Sequence, residues 1–190
     1  KTKGNVEFKL YPGGIAGDEP DVLRKMRVGQ YQGAGFTGMG MGEVLSDIRI
    51  LELPFFYRSV EEIDFVKGKL VPELAKKFEE KGQVFLGWAE PGLVYLFAQK
   101  PIQSAADMNG VKLWAWEGDP LAAEVVKAFK VAPVNIAVPD VLMALQTGML
   151  NAIYAPPLAA MALQWNTKVK YMLNTPLTNS TGGVLVTKKA

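Results

Sequence analysis

Apolar positions along this chain come in short runs, some alternating with polar residues and some continuous, set apart by Gly, Pro and acidic residues and by amphipathic stretches. Residues 6–11 (VEFKLY) alternate as a half-buried strand does, and Pro12, Gly13 and Gly14 stop the run. Asp18, Glu19 and Pro20 then open a helix with Val22, Leu23 and Met26 on one face and Gly29 closing it. Residues 32–37, rich in Gly and Ala, read as a short buried strand. A Gly/Met turn follows, then a short helix over 43–48, and residues 51–56 (LELPFF) read as extended around Pro54. Ser59 with Glu62 three residues on is a capping-box signature, and the helix it starts is expected to run in two pieces, broken at Pro72 and ended by Gly82.

The second half keeps the rhythm. Residues 84–89 and 93–98 are apolar strands separated by Glu90, Pro91 and Gly92, and residues 104–109 form a helical turn. Residues 110–118 read GVKLWAWEG, so a strand there turns Trp114 and Trp116 to one face. Asp119 and Pro120, an N-cap and first-turn pair, open the next helix. Helices over 119–130 and 139–148, a strand over 152–155, a helix over 157–165 and strands near Tyr171 and Val184 complete the pattern. Strands alternating with helices predict an α/β fold with parallel sheet. Small ligands sit where strand ends meet helix starts in such folds, which directs attention to the two tryptophans; the competing reading is that both indoles are core.

Composition narrows the chemistry. The 190 residues are 49% hydrophobic and 21% charged, enough for one domain or two small lobes. Lys and Arg number 21 against 19 Asp and Glu, and they are scattered, which is neither a nucleic-acid footprint nor a polybasic membrane patch. Cys and His are absent, so disulfides, thiolate or imidazole metal sites and His-dependent triads are excluded. A cysteine-free chain fits an oxidising compartment such as the periplasm. Glu90, Glu117 and Asp119 could gather as acid and base, but acids at loop ends are more often capping or solvated. No catalytic residue, metal site or cofactor is assigned. The stretch 33–38, GAGFTG, matches the dinucleotide fingerprint with Glu52 downstream, and a nicotinamide-dependent oxidoreductase is carried as a lower alternative.

Taken in order, LYPGG at 10–14, LPFFYRS at 53–59, EEKG at 79–82, LGW at 86–88, KPI at 100–102, MNGVKL at 108–113 and DVLMALQTGMLNA at 140–152 resemble the TRAP-transporter periplasmic substrate-binding proteins of the DctP family. The resemblance implies a two-lobed receptor of the type II-like periplasmic-binding-protein fold. It would close over a small-molecule ligand without chemical turnover and deliver it to membrane permease subunits, with a helical-repeat lipoprotein as a further partner in some branches. Lobe one would cover 1–90, lobe two 91–178, and the last strand, 181–190, would return to lobe one or the hinge, with part of the hinge rotation at Pro91 and Gly92. Members of the family carry a first strand and helix ahead of a segment like 6–11, and further helices after one like 181–190. Their absence here implies an exposed sheet edge.

The same alignment of motifs places Trp114 where relatives carry the arginine that forks onto a ligand carboxylate, Val94 where a second basic residue is common, and Ala155 where an asparagine is common. A desolvated carboxylate needs paired donors, so an atypical branch with an apolar or aromatic ligand is expected. Trp88, Phe56, Met39, Tyr95, Trp116 and Tyr154 are further candidate walls, with Glu90 at the turn beside them, and Trp114 is expected to set the ligand class. The alternative is a carboxylate receptor with displaced contacts, drawn from Arg24, Arg27, Arg49 or Arg58, the arginines of the chain.

Overall fold

Acidic and hydroxyl side chains set where the helices begin. In the computed structural model, which describes residues 4–188, Asp18 caps α1 (Glu19–Arg27) and Thr37 caps α2 (Gly38–Val44). Ser59 caps α3 (Val60–Glu80) and Asp119 caps α4 (Pro120–Ala128). Each side chain satisfies a backbone N–H that the first turn leaves without an intrahelical partner. Two shorter helices follow, α5 (Val141–Thr147) and α6 (Pro157–Ala162).

The strands divide into two sheets. The first is antiparallel, with β1 (Gly33–Thr37) and β2 (Gln83–Trp88) on either side of β9 (Gly182–Thr187). The second runs β5 (Ala132–Ile136), β4 (Lys112–Trp116), β6 (Ala152–Ala155), β3 (Gly92–Ala98), β7 (Tyr171–Met172), and β8 (Thr178–Ser180) adds to β3. It is mixed: β4 pairs in parallel with β5 and β6, whereas β3 pairs antiparallel with β6, β7 and β8. The chain crosses between the sheets from β2 to β3 and from β8 to β9. The crossings lie side by side, with Ala89 N–H donating to the Gly182 carbonyl at 2.8 Å. A Cβ on Gly182 would stand 2.1 Å from the Ala89 oxygen, so only glycine permits that approach.

The first sheet packs on a core of Leu23, Met26, Phe36, Met41, Ile48, Leu51, Leu74, Phe78 and Leu185. Alternate residues of the second sheet feed two cores. Trp114, Ile153 and Ala155 pack with Val141, Leu145, Leu150 and Trp165 on one side, while Leu113, Ala115 and Ala152 pack with Val126 and Leu96 on the other.

Several local expectations are corrected. Residues 6–11 form no strand and lie exposed. Alternation supplies an apolar face, but a strand also needs a ladder, and the first sheet's described ladders all run to β9. Tyr11 instead meets Tyr31 ring to ring at 5.2 Å. The expected Gly/Met turn is the helix α2, and a 3-10 helix, Ser46–Glu52, occupies the end of the expected helix over 43–48 and the start of the expected extended segment over 51–56. The chain turns at 54–56, with Phe55 at φ 57°.

α3 runs unbroken through Pro72, because Ile63 and Lys67 before it and Leu74 and Phe78 after it are all buried. Packing on both sides outweighs a proline cost of about 3 kcal/mol. The sequence reading passed over β5, which carries Pro133. A proline argues against a central strand, and β5 sits at the sheet edge, where a missing N–H is tolerated. The sheets are antiparallel and mixed rather than parallel, since only the β4–α4–β5 segment and its neighbour β6 bring strands together in parallel.

Candidate ligand cleft

Three helix caps converge between the two sheets. Asp18 Oδ1 accepts from Glu19 N–H at 2.8 Å, while its Oδ2 accepts from the Trp116 indole N–H at 2.9 Å and from Val138 N–H at 3.3 Å, tying the start of α1 to the far sheet. Thr37 Oγ1 accepts from Met39 N–H at 3.3 Å, and Asp119 Oδ1 accepts from Leu121 N–H at 2.9 Å. Trp116 N–H donates to the Tyr154 hydroxyl at 3.2 Å. These bonds fix the walls of a cavity of about 100 Å³. Thr37, Met39, Arg49, Glu52 and Phe55 line one side, and Val94, Trp116, Leu121, Val125, Phe129 and Tyr154 the other. Asp119, the cap of α4, and Leu177, Thr178, Asn179 and Ser180, at and just before β8, complete the lining.

Apart from Arg49, the cavity's charged groups are acids. Arg49 Nη2 lies 2.9 Å from both carboxylate oxygens of Asp119, and its Nε is 3.2 Å from Glu52 Oε2 without the alignment of a hydrogen bond. Glu52 Oε1 accepts from Thr181 N–H at 2.7 Å, and Thr178 Oγ1 donates to the Glu52 carbonyl at 2.7 Å, so this acid also pins the second crossing. Glu19, behind the wall, accepts from Thr37 N–H, Thr37 Oγ1 and Gly40 N–H. Glycine admits both acids: a Cβ on Gly38 or Gly40 would overlap the Glu52 or Glu19 carboxylate respectively. Burial pushes the Glu52 carboxyl up to about 7 against the opposing pull of Arg49. Burial likewise raises Glu19 to about 7 in spite of its three donors.

Of the residues singled out from the sequence, Met39, Val94, Trp116 and Tyr154 line the cavity. Trp114 does not. Its side is the core: it is 3% exposed, donates its indole N–H to the Ile136 carbonyl at 3.0 Å, and packs on Tyr154 and Trp165 with ring centroids 5.0 and 5.2 Å away. Ala155 lies in the same core. Trp88 packs edge-on against Phe85 beneath the first sheet, and Tyr95 is half-buried on β3 away from the cavity wall. Phe55 and Phe56 are both exposed at the turn over 54–56, and of the two Phe55 lines the cavity. Glu90 pairs with Lys67 rather than with the cavity.

The sequence reading did not place Phe55 or the apolar face of α4 in the site; it carried Arg49 only among four arginines for a displaced carboxylate contact, Glu52 only as the acid downstream of the dinucleotide fingerprint, and Asp119 as a cap or a candidate acid or base. Arg49 was legible as one of four arginines, but its spacing carries no sign that it faces the cleft. The glycines of GAGFTG fall inside β1 and at the first position of α2, so they do not form the loop between strand and helix that cradles a pyrophosphate. Among the described residues no cluster of acids is placed to hold a metal ion, and no helix is long and apolar enough to cross a membrane.

A family description, bacterial extracellular solute-binding protein, family 7 (DctP), matches residues 1–190. The chain is 27% identical over 153 residues to a solute-binding protein of Chromohalobacter salexigens, an overlap that covers 80% of this chain and 45% of that one. It is 26% identical over 158 residues to the C4-dicarboxylate-binding periplasmic protein DctP of Rhodobacter capsulatus, covering 82% and 47%. It therefore spans about half the length of these curated relatives. A TRAP periplasmic solute-binding protein from a Sulfitobacter species, solved with bound β-D-galacturonate, superposes with a TM-score of 0.90 at 24% identity over 99% of this chain and 63% of that one. One from Citrobacter koseri with bound D-glucuronate superposes at 0.89 and 23% identity. That likeness shows the fold, an α/β periplasmic-binding-protein architecture. Matched across residues 1–190, the chain belongs to the DctP family of bacterial extracellular solute-binding proteins, family 7.

Proposed function

We propose that this protein is the periplasmic receptor of a TRAP-type transporter, capturing a small, uncharged, apolar or aromatic ligand between its lobes and passing it unchanged to membrane permease subunits. Lobe one takes 1–90 with 181–190 returning to it, and lobe two takes 91–178. The observation that carries the ligand class is the wall itself: Met39, Phe55, Val94, Trp116, Leu121, Val125, Phe129 and Leu177 surround the cavity, and its arginine already holds a carboxylate of the protein. Burying that apolar surface against a ligand supplies roughly 25 cal/mol per Å², whereas a ligand carboxylate would have to displace Asp119 from Arg49 Nη2. Of the acids weighed from the sequence for turnover, Glu90 is held by Lys67 and Asp119 by Arg49. A helical-repeat lipoprotein partner finds no support among the relatives and is not part of this reading.

Arg49 in the wall supports a second reading, in which a ligand carboxylate displaces Asp119, in keeping with relatives whose names or bound ligands are dicarboxylates and sugar acids. Mass spectrometry of small molecules released from the purified intact protein separates the two. A neutral apolar compound is expected; a dicarboxylate or uronate overturns the first reading in favour of the second.

A further inference from the structure

We propose that Asp119 is a specificity-determining residue: it serves as a built-in anion that occupies Arg49 and so excludes carboxylate ligands from the cleft. The inference rests on the reading of this cavity as the ligand site. The guanidinium comes from the 3-10 helix beside the first sheet and the carboxylate from the N-cap of α4 beside the second, so the pair spans the cleft. Both Asp119 oxygens sit 2.9 Å from Nη2, and the two side chains are 7% and 17% exposed. Glu52 stands on the guanidinium's other edge. Asp119 thus already pairs with the one cation lining the cavity, and an arriving carboxylate has to displace it. Asp119 also caps α4 through Leu121 N–H, a role that a neutral side chain can keep.

The test uses the intact chain and two probes, benzoate and D-glucuronate, titrated against the wild type, Asp119→Asn and Asp119→Ser, with intrinsic tryptophan fluorescence or heat as the readout. Serine and asparagine retain an acceptor for Leu121 N–H while releasing Arg49. At least one carboxylate is expected to bind tenfold or more tighter in a variant than in the wild type, and adding Arg49→Met should abolish that gain; a change of fold alone would produce neither. Folded variants in which neither probe gains affinity overturn the proposal, as does a wild type that binds a probe as tightly as they do. Should both variants fail to fold, Arg49→Met alone decides. Carboxylate binding by the wild type that this change abolishes would overturn the proposal, and carboxylate affinity that does not depend on Arg49 is the expected result. Benzyl alcohol, run in parallel, addresses the apolar reading separately: its failure to bind the wild type counts against that reading, while a carboxylate gain in the Asp119 variants still upholds the exclusion.

Discussion

Trp114 and Trp116 stand two residues apart on the same face of β4, their rings 5.7 Å apart, yet they belong to different regions of the molecule. Trp114 donates to a carbonyl of the neighbouring strand β5 and is walled in by Tyr154, Trp165 and the α5 residues. Trp116 donates across the cleft to the acid that caps α1, and the rest of its ring lines the cavity. One indole completes a core and the other ties the second sheet to the start of α1. Strand periodicity decides only that they share a face; the partner of each N–H decides its role, and that partner lies 22 residues away for Trp114 and 98 for Trp116.

The contrast breaks most sharply at Trp114. Trp114→Ala should cost about 3–5 kcal/mol of stability, as buried aromatic truncations do, with an m-value typical of two-state loss in urea unfolding. Ligand affinity in the protein that remains folded should stay near wild type. A well-folded Trp114→Ala protein with a large affinity defect would return this indole to the cleft.

The acids behind the cleft sharpen the same division through pH. Glu19 and Glu52 keep their protons in the folded chain up to about pH 7, whereas an ordinary unfolded carboxyl releases its proton near 4.5. The native state therefore binds more protons across that window, and stability should fall as pH rises from 5 to 8, by an amount on the order of a few kcal/mol for the two together. Chemical denaturation at several pH values measures the slope. Glu52→Gln should flatten it, since Asp18, Glu19, Arg49 and Asp119 remain as the surrounding charges. A slope unchanged by that substitution would remove Glu52 from the account.

At Trp116 the expected loss is in binding. Trp116→Ala should weaken the native ligand by roughly 2–4 kcal/mol through lost aromatic contact. Trp116→Phe should cost about 1.5–3 kcal/mol, the range of a hydrogen bond to a charged group, read by calorimetry as weaker closure over the ligand. Phe56→Ala marks the lower end. Exposed at the turn, it should shift stability by less than about 0.5 kcal/mol and leave affinity alone, while Phe55→Ala lowers affinity.

Helix starts were the most legible features, because a cap is a local bond: Asp18, Ser59 and Asp119 each meet an N–H within three residues. Apolar strands such as β3, β4 and β6 were legible for the same kind of reason, since period-two burial is written in consecutive residues. The site was legible only where it rides on those elements, at Trp116, Val94 and Tyr154. Arg49, Glu52 and Phe55 were not, because a 3-10 helix and a turn set their direction, and neither leaves a period in the sequence. Trp114 was misplaced because a residue one layer behind a cleft wall has the same local pattern as a residue in it.

The sequence by itself determined the α/β alternation, the absence of Cys and His chemistry, the caps and the family motifs, all of which depend on residue type or on neighbours within a turn or a pleat. Only the tertiary structure decided that the first sheet is antiparallel around the final strand, that one indole is core and the other spans the cleft, and that Arg49 meets Asp119. The pairings across the cleft join residues 70 or more positions apart, and their energy comes from desolvation and close packing that exist only once both sheets and the two crossings have brought the elements together.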